Sequence, residues 1–244
     1  MAKKAIIQDA GRYRPIVADE NLVDGDGHIL NHPQEGEMFE YNNSDPLIVT
    51  IDGLLYGVPG LVAGASLNGF TGVNSSTGAI TVFADGTGGK VVVTSAGHNL
   101  QNGYTVTIDG TTSYNGRFVI DEVTTDTFEI TDTWVANDAT GDFWSGSKLI
   151  YDAGNNTQTF HVHSAISALA ASTGHTFFWA LELNGVVQTN IVNERKHANT
   201  DIGAISLTGR LVNLQATDLI ELVTKNVGNT GNVTIKHCNV NLLI

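Results

Sequence analysis

From Pro46 onward the sequence is a train of short β-branched segments separated by turn signals, and no long helical run interrupts it. Leu47-Ile48-Val49-Thr50-Ile51-Asp52-Gly53, Gly89-Lys90-Val91-Val92-Val93-Thr94 and Tyr104-Thr105-Val106-Thr107-Ile108-Asp109-Gly110 are three of them. Branched side chains suit a pleated surface, and Asp-Gly or Asn-Gly pairs supply the positive φ of tight hairpins. Strands at spacings of roughly ten residues are the pattern of an all-β sandwich or barrel, with no room for βαβ crossovers. Ser164 to Ser172 is the one helix-like candidate, and its alternation with His161 and Val162 reads as a continuing strand.

Composition agrees with β-structure. Only 15% of the residues are charged, against about 25% in average globular chains, and there are 27 glycines. A length of 244 residues fits one large domain or two modest ones. The single Cys238 excludes a disulfide framework and a cysteine-based zinc site. The net charge of −13 offers no attraction to phosphate backbones or anionic lipid, so neither nucleic acid nor membrane is an expected partner. After Lys4 the apolar stretch stops at Gln8, so no signal peptide is expected, and no apolar run approaches the roughly 20 residues that span a bilayer.

Three regions differ in character. Residues 1–43 are polar, aperiodic and punctuated by proline and glycine, which resist helix and sheet ladders alike; they read as an arm that becomes ordered against a partner. Residues 80–146 are acidic: Asp85, Asp109, Asp121, Glu122, Asp126, Glu129, Asp132, Asp138 and Asp142 face only Lys90 and Arg117. Here the run Val93 to Thr111, then Tyr114-Asn115-Gly116 and Thr125-Asp126-Thr127-Phe128-Glu129-Ile130, resembles the small β-barrel repeat of bacteriophage tail and fibre proteins. That resemblance implies a binding or spacer module without catalysis.

A second resemblance covers the C-terminal part. Thr159 to Ser167, Thr176 to Gly185, Ile202 to Gly209, Ala216 to Asn226 and Asn232 to Val240 look, in that order, like the jelly roll of phage fibre and capsid-surface proteins, similar to tumour-necrosis-factor and C1q heads. The early strands of that fold are expected at Leu47 to Leu55 and Leu67 to Ile80, with the chain returning at Ser147-Lys148-Leu149-Ile150-Tyr151. The expected architecture is therefore all-β: a trimeric jelly-roll sandwich from residues 44–79 and 147–244, a small β-barrel inserted at 80–146, and an extended arm at 1–43. The resemblances imply a non-enzymatic virion surface protein anchored through residues 1–43 to the major capsid protein or another virion component. Lacking a heptad shaft or a Gly-X-Y repeat, the chain suits a capsid decoration or cement protein better than a tail fibre. A receptor-binding fibre that recognises host glycan, and a carbohydrate-active depolymerase, are the alternatives.

Candidate chemistry is sparse. Gly-x-Ser-x-Gly is missing around Ser66 and Ser145, and Gly86-Thr87-Gly88-Gly89-Lys90 leads into a strand instead of a helix, so neither a nucleophile elbow nor a phosphate loop is expected. His161 and His163 alternate on one strand and could share a metal, but no third ligand is in view. Asp24-Gly25-Asp26 lacks the remainder of a calcium loop. A glycosidase needs two carboxyls flanking a sugar; Glu182 and Glu221 belong to no closely spaced acid pair in the sequence, and they are expected on a solvated or intersubunit face. Tyr114, Trp134 and Trp144 could stack on a sugar or contact a partner, against ordinary packing as the alternative. No cofactor is implied.

Overall fold

The structure is a computed structural model that describes residues 6–9, 12–15, 34–64, 67–152, 157–197 and 202–244. Every regular element among them is a β-strand: β1 (Ile6–Asp9), β2 (Arg12–Pro15), β3 (Glu35–Tyr41), β4 (Tyr56–Gly57), β5 (Val62–Ala63), β6 (Phe70–Val73) and β7 (Ser76–Ala79) come first. Then follow β8 (Val82–Asp85), β9 (Lys90–Thr94), β10 (Thr105–Asp109), β11 (Gly116–Val119), β12 (Thr127–Thr131) and β13 (Asp142–Ser145). The chain closes with β14 (Lys148–Tyr151), β15 (Gln158–Ala170), β16 (Thr176–Leu183), β17 (Val186–Lys196), β18 (Gly203–Leu214), β19 (Leu219–Val227) and β20 (Val233–Leu243).

Eleven of these strands form a sandwich. One sheet runs β18-β15-β20-β3-β5, the other β17-β16-β19-β14-β6 with β4 beside β19, and all the pairings are antiparallel. Alternation puts Phe160, Val162, Ile166 and Ala168 of β15 inside, opposite Phe177, Trp179 and Leu181 of β16, in one apolar core. The segment from Ser164 is strand through Ala170, as the alternation with His161 and Val162 requires. Asn184 and Gly185 both have positive φ (51° and 77°) and close the β16–β17 hairpin, a primed turn that matches the twist of its strands.

Between β6 and β14 the chain builds a second unit with its own core. Its sheets are β11-β10-β13-β7 and β12-β9-β8, and Phe83, Val93, Tyr114, Phe128 and Phe143 fill the space between them. Val73 and Lys148 are register partners, so the insert leaves and returns through adjacent strand ends. It rests on the outward face of the second sandwich sheet: Leu219 belongs to the insert's core, and Val73 and Ile150 pack against it.

Three expectations need correction. Leu47 to Leu55 is no strand; Leu47 makes an isolated bridge to Val233, and only Tyr56–Gly57 joins the sheet. Proline at 46 and the tight turn at Asp52-Gly53 (Gly53 φ 75°) interrupt the ladder that the branched residues favour. The segment 67–80 is divided, β6 serving the sandwich and β7 the insert, so the insert starts at about Ser76 instead of Ile80. The segment 1–43 is not one arm without ladders, because β1 pairs with β2 and β3 lies inside the five-stranded sheet with Met38 in the core. Hydrogen bonding to β20 outweighs the polar sequence of β3, whose outward positions carry Glu35 and Glu37, while Glu40 falls on Met38's side near the strand end.

Removing residues 1–33 is expected to leave the sandwich intact, since its strands begin at Glu35. Removing 1–41 takes β3 away and uncovers Met38's site and the edge of β20. Thermal unfolding of the two truncations distinguishes them: the shorter should melt close to the full chain, and the longer about 5–10 °C lower.

Candidate functional site

The densest polar constellation lies where the insert meets the sandwich. Lys148, Glu221 and Glu182 stand side by side in register on β14, β19 and β16, on the face turned away from the sandwich core. All three are buried, because the insert covers them. Arg117 reaches down from β11 and closes the group. Its Nε donates to both oxygens of Glu182 at 3.0 Å, its Nη1 donates to Thr107 Oγ1 at 3.0 Å, and its Nη2 lies 3.0 Å from Glu221 Oε2. Lys148 Nζ sits 3.2 Å from the same Glu221 oxygen and donates to Ser145 Oγ and the Gly146 carbonyl, both at 2.8 Å. The Gly146 N–H donates to Glu221 Oε1 at 2.9 Å.

Backbone must approach closely for this. A Cβ on Gly57 would stand 1.8 Å from Glu221 Oε1, and one on Gly146 would stand 2.7 Å from Gly57 Cα, so glycine is required at both positions. Burial raises the pKa of Glu182 against the pull of Arg117, and burial lowers that of Lys148. For Arg117 burial works downward, but Glu221 and Glu182 overcome it and the net direction is up. Two cations and two carboxylates cancel. Such a group does not expose a proton donor or a nucleophile to solvent; it is a clamp between two units. A smaller clamp stands beside it: Tyr56 Oη donates to Asp109 Oδ2 at 2.8 Å, and burial pushes the tyrosine pKa up to about 12.

The candidate residues from sequence fall in different places. Glu182 and Glu221 do come together, but inside the clamp instead of on a solvated face, because the insert caps that end of the sheet. His161 and His163 are exposed on the outward face of the other sheet, and no group of three or more metal-ligating side chains occurs among the described residues. Asp24-Gly25-Asp26 lies outside the described residues. Tyr114 is fully buried, its ring stacked on Phe83 at 4.3 Å and on Trp134 at 6.3 Å, with its hydroxyl donating to the Ala136 carbonyl; it is core and is closed to a glycan. Trp134 packs against the same core. Trp144 lines a surface cleft.

Arg117 and Lys148 were not singled out by sequence. The available signal was a charge inside an apolar strand: Lys-Leu-Ile-Tyr at 148–151, Ala-Leu-Glu-Leu at 180–183 and Leu-Ile-Glu-Leu at 219–222. A strand polar at one outward position and apolar at its neighbours is one whose outer face is covered.

No family model matches this chain, and no curated protein does. Among solved structures it is similar to the insecticidal delta-endotoxin Cry8Ea1 from Bacillus thuringiensis, at 9% identity and a TM-score of 0.25, over 87% of this chain and 53% of that one. The chain thus spans about half the length of that protein, and a likeness this slight carries no functional argument.

Arg117→Met strands two buried carboxylates against one lysine and is expected to cost about 3–5 kcal/mol in denaturant unfolding. The pair Arg117→Met with Glu182→Leu leaves Lys148 and Glu221 balanced, so it should recover most of that loss. A double-mutant cycle showing simple additivity would mean that the two side chains are not coupled.

Proposed function

We propose that the chain is a non-enzymatic structural protein of a bacteriophage virion, a capsid decoration or cement protein that acts as a homotrimer on the particle surface. The observation that carries this reading is the outward face of the five-stranded sheet. One row across it is Ser206, Ala165, Asn239, Phe39 and Val62, and the next is Ala204, Ser167, His237 and Tyr41. In a chain of net charge −13 neither row holds a carboxylate, the nearest being Glu37 in the next row, which accepts from Asn239 at 3.0 Å, and Phe39, Val62 and Tyr41 are left exposed. Copies can bring such faces together without burying unpaired charge.

Strand order supports a jelly roll. From β14 to β20 every link except the β16–β17 hairpin crosses to the other sheet, which is how a jelly roll winds. The insert sits behind the opposite sheet, so faces that associate through β15 and β20 turn the acidic units outward. Like-charged inserts then repel neighbouring knobs over a Debye length of about 8 Å. Attachment to the major capsid protein or another virion component falls to the residues before Glu35, since β3 belongs to the sandwich. The family resemblance read from the sequence supports the particle setting.

A tail-fibre protein that recognises host glycan is the second reading, and the surface cleft at Trp144 favours it. The depolymerase reading loses its two candidate acids to the clamp. Purified chain is expected to leave host polysaccharide uncleaved.

Light scattering should give three times 25.9 kDa, and Ala165→Glu should shift that mass toward the monomer while leaving the melting curve of each sandwich in place. A clean monomer at micromolar concentration overturns the trimer. Chain lacking residues 1–33 should remain trimeric but fail to decorate particles; undiminished decoration places the attachment surface elsewhere.

A further inference from the structure

Trp144 packs against the rim of the sandwich core with part of its ring, and the remainder lines open surface. It stands on β13 facing the chain segment that leads into β4, half-buried, with its edge toward Tyr56 at a centroid distance of 6.2 Å. Two clefts border the indole, of about 190 Å³ and about 390 Å³, and Ile48 lines both. The larger falls within the range of about 300–1,000 Å³ typical of ligand sites.

Register fixes what surrounds the ring. Thr77 on β7 is its direct cross-strand partner, so its hydroxyl lies next to the indole. Two residues along, Asp142 and Asp109 are partners of each other on β13 and β10, on the same face as Trp144. They are not equivalent. Asp109 is buried and already accepts from Tyr56 Oη at 2.8 Å and the Gly110 N–H at 2.5 Å. Asp142 is exposed, and its carboxylate has no hydrogen-bond partner among the described residues. The larger cleft therefore offers the indole and one free carboxylate, and the smaller adds the Thr77 hydroxyl at its rim.

From this we infer that the Trp144 cleft binds a neutral sugar ring of a glycan. A pyranose has one face of C–H groups, which carry slight positive charge and pack on the electron-rich face of an indole. Its equatorial hydroxyls donate to a carboxylate and exchange hydrogen bonds with a threonine hydroxyl. A lysine or arginine side chain also packs on an aromatic ring near carboxylates. It is the poorer fit here, because the Asp109 charge is already satisfied and the smaller compartment is lined by serine and threonine hydroxyls, with no acid. Two compartments on one indole suit adjacent units of an oligosaccharide.

The inference deepens the glycan-recognition reading above and rests on it; its test uses purified chain alone, so its failure leaves the particle-surface reading standing. The probes are the trisaccharides of glucose, mannose, galactose and N-acetylglucosamine, with triarginine as the competing chemistry, read by calorimetry and by tryptophan emission. At least one saccharide should bind in the millimolar range or tighter and shift the emission, an effect that Trp134→Phe leaves intact. Trp144→Ala should weaken that binding about tenfold or more, and Asp142→Asn should weaken it by a smaller factor. Should Trp144→Ala fail to fold, Thr77→Phe fills the smaller cleft from its exposed rim and should weaken oligosaccharide binding severalfold while the melting curve is kept. Three results overturn the proposal: no saccharide binds, binding is undiminished in both Trp144→Ala and Thr77→Phe, or triarginine binds and the saccharides do not.

Discussion

Two cores in one chain stay in fixed relation because four charges are buried between them. Arg117 comes from the insert, and Lys148, Glu182 and Glu221 from three neighbouring strands of the sandwich. Taking such groups out of water is costly, and their mutual attraction compensates only when geometry and further hydrogen bonds are good. Here Thr107, Ser145 and the backbone at Gly146 supply those bonds. An apolar contact would hold the two units together equally well, but it would tolerate sliding. A charge cluster has one register in which every partner is met, so it fixes orientation.

That orientation divides the surface of the molecule. One sandwich sheet is covered at one end by the insert, whose core takes in Leu219 and packs on Val73 and Ile150. The outward face of the other sheet carries a patch of small neutral side chains with three exposed apolar ones at its β3–β5 edge, beside His161, His163, Arg210 and Glu37 farther along the strands. The cleft at Trp144 is a product of the same junction, since one wall belongs to the insert and the other to the segment before β4.

The strands of the C-terminal half were legible because each is long and alternates. β15 shows buried and outward residues in strict turn from Thr159 to Ala170, and β20 does nearly the same. Short elements were less legible. Leu47 to Ile51 has the residues of a strand but meets only a single bridge, since β-propensity describes fitness for a sheet and cannot supply the neighbour. Glu35 to Tyr41 shows the reverse: a sequence with three glutamates became a strand because β20 offered an unpaired edge.

By itself the sequence determined the fold class, through β-branched alternation and turn pairs such as Asn184-Gly185, because these act within a few residues and need no distant partner. It also determined that the acidic section is a separate stretch of charge. Tertiary structure alone decided the meaning of its isolated charges and aromatics. Glu182 looks like any outward glutamate until Arg117, 65 positions earlier, is seen beside it. Tyr114 and Trp144 look alike as exposed aromatics, yet one is sealed beneath Phe83 and Trp134 and the other lines a cleft. Burial and pairing depend on which distant strands come together, and the local pattern of a single chain does not encode that choice.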